Sequence, residues 1–196
     1  MIRMTPALAC AALVATPLMA QMQNWKLDPA HSAAQFSVRH LGISTVRGAF
    51  TKMTGAVQYD PLDVTKSSVD VTIDTASVDT RVERRDNDLR SDHFLDANKY
   101  PTLTFHSKRV EAAGPGKLKI TGDLTLHGVT KQVVLDVDGP SASIKDQRGM
   151  MHMGASATTT INRTDFGVDG APGAVGNDIA LTLDVEMVKT PAEATK

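Results

Sequence analysis

Cysteine is almost absent. The chain has one, Cys10, and it falls in an apolar stretch near the N-terminus. The rest of the protein therefore has no disulfide, no thiol nucleophile and no thiolate metal site. Aromatic residues are few, at 4% of the chain. A core must be built mainly from aliphatic side chains of medium size. Charge of one sign is also missing: the formal net charge is -1. With no basic stripe interleaved with aromatics, nothing points to nucleic acid as a partner. The familiar catalytic and metal spacings are missing too. The six histidines, His31, His40, His93, His106, His127 and His152, form neither H-E-x-x-H nor an i, i+2 pair. Spacing therefore predicts no metal site. No G-x-S-x-G is present, and the D-F-G at residues 165–167 lacks every other kinase signature.

The N-terminus carries Arg3, then the apolar run "PALACAALVATPLMA", then Ala20. A positive start, a short greasy centre and a small residue before a cut describe a secretory signal. The run is shorter than the roughly 20 residues that span a bilayer, and it contains Pro6 and Pro17. Residues 1–20 are read as a cleaved signal, 21–190 as one domain and 191–196 as a frayed tail.

Strand signals dominate that domain. In "IALTLDVEMV", Ile179, Leu181, Leu183, Val185 and Met187 share one face, while Thr182, Asp184 and Glu186 take the other. This period of two marks a half-buried strand. Val69, Val71 and Ile73 repeat it, as do Val133, Leu135 and Val137. Gly48 and Gly55 read as bends or bulges within their strands. Turn-rich punctuation such as "AAGPGK" and "GAPGAVGND" separates about eight strands by short connections, which predicts antiparallel pairing. Closure into a barrel would remove the long edges of such a sheet. One segment departs from the pattern. "SVDTRVERRDNDLRS" lacks alternation and predicts a short helical insertion near residues 80–92, capped by Asp79 or Thr80.

The chemical candidates are sparse. Asp28, His31 and Ser32 in "DPAHS" hold triad residue types, but close neighbours at a strand entry rarely aim at one another. Asp86, Asp88 and Asp92 read best as ion-pair partners of Arg85 and Arg90, which would anchor the insertion. Arg163 and Asp165 read as a salt bridge bracing a turn, and His127 as a hairpin residue. In "FSVRH", Phe36, Val38 and His40 share one parity. That face either fills a core or lines a cavity, since eight strands give an interior that side chains just fill or that holds one small ligand.

Four ordered blocks carry a resemblance. "WKLDPAHSAAQFSVRHLGISTVRGAF", "RRDNDLRSDHFLDANKYPTLTFHS", "ITGDLTLHGVTKQVVLDV" and "INRTDFGV" are similar to the signatures of the YceI-like family, across roughly residues 25–188. The resemblance implies an all-β, extended eight-stranded antiparallel barrel of lipocalin-like form in the bacterial periplasm. It implies a long amphipathic lipid as ligand, an isoprenoid or isoprenoid quinone, with fatty amides in some relatives. It implies no catalytic activity and no cofactor. The family's Arg-Asp-x-His-Leu pattern falls on Arg85, Asp86, Asn87, Asp88 and Leu89, so Asp88 replaces the usual histidine. On this basis Phe36, Val38, Phe50, Phe94, Phe105, Leu126 and Ile161 are expected to contact the lipid. His40, Arg85 and Asp88 are expected at the head group or rim. Phe94 and Leu95 would cover the barrel mouth. Transient membrane contact and pairing of two copies are both compatible with a barrel. Two other readings stand beside the carrier: an enzyme using His40 with a buried carboxylate on a small apolar substrate, and a solid-cored stress or interaction protein without ligand.

Overall fold

The computed structural model describes residues 22–190, and the expected signal and tail lie outside them. The strands are β1 (Gln23–Leu27), β2 (Ala33–His40), β3 (Ser44–Phe50), β4 (Met53–Tyr59), β5 (Ser68–Asp74), β6 (Val78–Asp79), β7 (Thr102–Gly114), β8 (Lys117–Leu126), β9 (Val129–Asp138), β10 (Ile144–Lys145), β11 (Met151–Asn162) and β12 (Val175–Lys189). The α-helix among the described residues is α1 (Glu83–Arg90).

These segments occupy eight positions in a closed antiparallel barrel. Three of the strands are bent. β1 and β2 lie end to end along β12, β3 and β4 lie end to end along that pair, and β5 with β6 repeats the arrangement. β10 is a short strip added to β11. Order around the barrel then follows order along the chain, as short connections require. β11 and β12 close the ring by pairing over eleven residues, from His152↔Val188 to Asn162↔Asp178. The alternation read from the sequence gives each strand its two faces. Gly48 and Gly55 are not bulges, because both sit in regular register opposite Phe36 and Val71. They are glycines because side chains lie over them. A Cβ on Gly48 would stand 2.5 Å from the Phe36 ring, and one on Gly55 3.1 Å from Leu27 Cδ1 and 2.7 Å from the Asp70 carbonyl oxygen.

The helical insertion falls where it was expected, between β6 and β7, and covers one end of the barrel. Its anchors differ from expectation. Neither Asp79 nor Thr80 caps α1; Val82 stands at the N-cap, with no side-chain bond. Asp86 instead reaches back, and its buried carboxylate accepts the Thr80 amide N–H at 2.8 Å and the Thr80 hydroxyl. Arg85 donates to the Thr80 hydroxyl and carbonyl, and Arg90 to the carbonyls of Ala76 and Val78. The anchor is thus a set of charge-assisted hydrogen bonds to the backbone and a hydroxyl, not ion pairs. The bend at β6 leaves carbonyls without ladder partners, and they need donors. The helix ends at Arg90, well ahead of Pro101, where Ser91 bonds back to the Asp88 carbonyl.

Candidate functional site

The inward faces do not fill the barrel. A cavity of about 260 Å³ runs through it. Counting roughly 10–15 Å³ of free space per water-sized group, it has room for on the order of twenty methylenes. On β12 the wall extends from Val175 to Met187. A rise of about 3.3 Å per residue and a strand tilt of roughly 40° make the lumen about 30 Å long. A solid core is therefore excluded.

The wall is carbon almost throughout. Every inward residue read from the alternation of β5, β9 and β12 contributes: Val69, Val71 and Ile73, Val133, Leu135 and Val137, and Ile179 to Met187 at every second position. Few of these are large, which is why space remains. Phe36, Val38, Phe50, Phe94, Phe105, Leu126 and Ile161 all lie on this wall. They come from five strands and the insertion. Phe36 and Phe50 pack ring to ring with centroids 5.9 Å apart. The Phe105 ring lies over Gly122 of β8, whose missing Cβ would stand 2.4 Å from it. At the α1 end, Leu89, Phe94 and Leu95 face the lumen and form the expected cover. Trp25, 1% exposed, is buried with Leu27 and Met187 in the cluster towards the opposite end.

The polar residues expected at the head group or rim stand at element ends: His40 closes β2, and Arg85 and Asp88 lie on α1 over one end of the barrel. His40, Arg85 and Asp88 are not on the cavity wall. Arg85 is bound to Thr80, and the exposed Asp88 carboxylate lies 3.0 Å from His93 Nδ1. His93 Nε2 in turn accepts the Ala171 N–H at 3.3 Å. Asp88, at the family's histidine position, thus ties the insertion through His93 to the loop ahead of β12.

Arg163 differs most from its expected role. It makes no salt bridge with Asp165; it is 4% exposed and borders the lumen. Its guanidinium donates to the carbonyls of Gly176 at 3.0 Å, Val168 at 2.6 Å and Val175 at 3.1 Å. Two of these lie where the β12–β2 register breaks between Val175 and Ile179. Burial lowers the guanidinium pKa, and Asp169 opposes that shift. The group still carries its charge at neutral pH. Its spacing in "INRT" gave no sign of this, because the carbonyls it serves become free only when the ladder breaks. His127, in the β8–β9 turn, meets Tyr100 edge to face with centroids 4.6 Å apart and lies 3.3 Å from the Phe166 carbonyl, so it ties the hairpin to its neighbours.

Three further sequence candidates resolve outside the barrel. Asp28 and His31 do aim at one another, with Oδ2 and Nδ1 2.7 Å apart, contrary to expectation. Ser32 does not join them. Its hydroxyl donates to the Glu186 carbonyl and accepts the Glu186 N–H, so it is a backbone staple and not a nucleophile. No carboxylate or imidazole lines the cavity among the described residues.

Comparison with known proteins places this geometry. The model of the YceI-like domain matches residues 25–187. A UPF0312 protein of Vibrio cholerae serotype O1 is 40% identical over 164 residues, covering 83% of this chain and 86% of its own. Among solved structures, a Campylobacter jejuni YceI protein superposes with a TM-score of 0.70 at 36% identity, covering 78% of this chain and 90% of its own. Burkholderia cenocepacia BcnA has a TM-score of 0.73 at 24% identity, covering 82% and 98%. A domain of Saccharophagus degradans described as polyisoprenoid binding has a TM-score of 0.60 at 17% identity, covering 85% and 98%. The last two are likenesses of fold.

Proposed function

We propose, from the premise that this chain belongs to the YceI-like family, that its barrel carries a long amphipathic lipid in the bacterial periplasm. The observation that carries this reading is the lumen: long, narrow, walled by carbon and covered at one end. Such a space suits a flexible hydrocarbon tail and little else. Burying a methylene is worth about 0.8 kcal/mol, so each isoprene unit contributes roughly 3–4 kcal/mol gross. A few units offset the several kcal/mol that association costs. Isoprenoids and isoprenoid quinones are the favoured guests, with fatty amides next. The Saccharophagus domain of the same fold, described as binding polyisoprenoids, points the same way. The N-terminal apolar run behind Arg3 supports export.

Binding is favoured over catalysis because acid–base chemistry needs groups within reach of the guest. The wall offers no carboxylate or imidazole among the described residues, and all three mapped donors of Arg163 are occupied by carbonyls. The test is to purify the protein from its own host, extract it with solvent and identify the extract by mass spectrometry. A stoichiometric polyprenyl species is expected. Phe105→Asp, which sets a charge on the wall, should abolish that lipid while export persists. Unchanged lipid content in this variant would overturn the assignment. A chemically altered lipid in the wild-type extract would favour an enzyme.

A further inference from the structure

The corner at which β1 turns into β2 gathers ionisable groups that the lumen does not use. Residues 28–32 leave the barrel surface there, and β12 runs beneath them with Asp28 N–H bonded to the Glu186 carbonyl at 2.8 Å. Asp28, His31 and Glu186 each bring one ligand atom to this corner, and all three atoms lie within 4.8 Å of one another. Asp28 and Glu186 share the outer face, since their neighbours Leu27 and Met187 point inward and pair with each other. His31 folds over them from the loop.

We propose that this corner is a binding site for a divalent first-row transition cation, Zn²⁺ first, ligated by Asp28, His31 and Glu186. The donor set is one imidazole and two carboxylates with no sulfur, which suits such ions.

The donors are already oriented. Asp28 Oδ1 accepts the Ala30 N–H at 2.9 Å, which fixes the carboxylate and aims Oδ2 at His31. Glu186 Oε1 is held by His152 Nδ1 at 2.8 Å, leaving its second oxygen for the ion. His152 is thus a positioning residue, and its far nitrogen faces Asp146 at 3.4 Å. Outer partners of this kind orient ligands and strengthen binding. The His31 side chain is 65% exposed, so an ion has access from solvent. Sequence spacing could not reveal the site, because Glu186 comes from the last strand of the barrel.

The test is isothermal titration of Zn²⁺ into the untagged, chelator-washed full chain, with Mg²⁺ as control. One saturable Zn²⁺ per chain is expected. His152→Ala should weaken it about tenfold, and His31→Ala and Glu186→Gln should each weaken it more. His106→Ala, which removes a histidine paired with Asp70 on another face, should leave it unchanged. Circular dichroism confirms that each variant folds; His31→Ala alters an exposed side chain and keeps the test decisive if Glu186→Gln does not fold. Absence of saturable binding, or equal affinity in both ligand variants and wild type, would overturn the proposal. The outcome does not depend on the lumen's content, so it leaves the carrier reading standing or falling on its own test.

Discussion

At the scale of the residue, Phe105 and Gly122 show how the wall is kept open. The ring tip occupies the space where a β-carbon would otherwise project, 2.4 Å from the ring and 2.6 Å from the His106 carbonyl. A larger side chain at 122 must displace both the ring and the His106 carbonyl. Gly122→Val is expected to cost about 1–3 kcal/mol in chemical denaturation. It should also lower co-purified lipid, and the two readouts together separate a blocked lumen from an unfolded chain. Most wall residues were legible in advance, because strand parity decides inside from outside. Val69, Val71, Leu135 and Leu183 needed nothing more. Arg163 was not legible. Its role depends on a register break between strands far apart in sequence, and no local pattern reports that.

At the scale of the element, α1 and its flanks decide how firmly one end is covered. The helix is too short to stand alone. It is held by Asp86, which is 5% exposed and receives both donors of Thr80. Asp86→Ala would leave those donors buried and unmatched, at about 1–3 kcal/mol. Hydrogen exchange should then quicken across residues 80–95 and stay unchanged in β11 and β12. The existence and place of this insertion were readable from its lost alternation. Its anchors were not, since charges in sequence suggest ion pairs while the bent backbone demands hydrogen bonds. The short turn at Val64–Lys66 supplies a pH prediction. The hydroxyl of Thr65 donates to Asp63 and holds its carboxyl below the ordinary aspartate value of 3.8. A lowered folded-state pKa stabilises above the unfolded value and fades as pH falls through the folded one. NMR titration should therefore show an Asp63 midpoint below 3.8, and Thr65→Val should move it back up.

At the scale of the whole molecule, capacity sets selectivity. A wall of carbon cannot tell one saturated stretch from another except by how much it buries. Affinity should therefore climb with tail length until the cavity of about 260 Å³ is filled. By the volume estimate that is on the order of twenty carbons, or about four isoprene units. A series of isoprenoid alcohols measured by competition should gain at least about tenfold per unit up to that length. Beyond it the gain should flatten, because further units protrude into water. The barrel and its strand count were within reach of the sequence; the size of the empty space was not, since it is a small difference between enclosed volume and summed side chains. The eleven-residue seam between β11 and β12 has one more consequence. A wall stitched that tightly has no slit on that side; the weak side is β9 against β11, joined by three residue pairs. Unless those pairs part, a guest leaves tip-first, sliding like a cord from a sleeve. Departure should then slow with every added length of cord, and a branch or knot in mid-tail should bar entry however greasy it is.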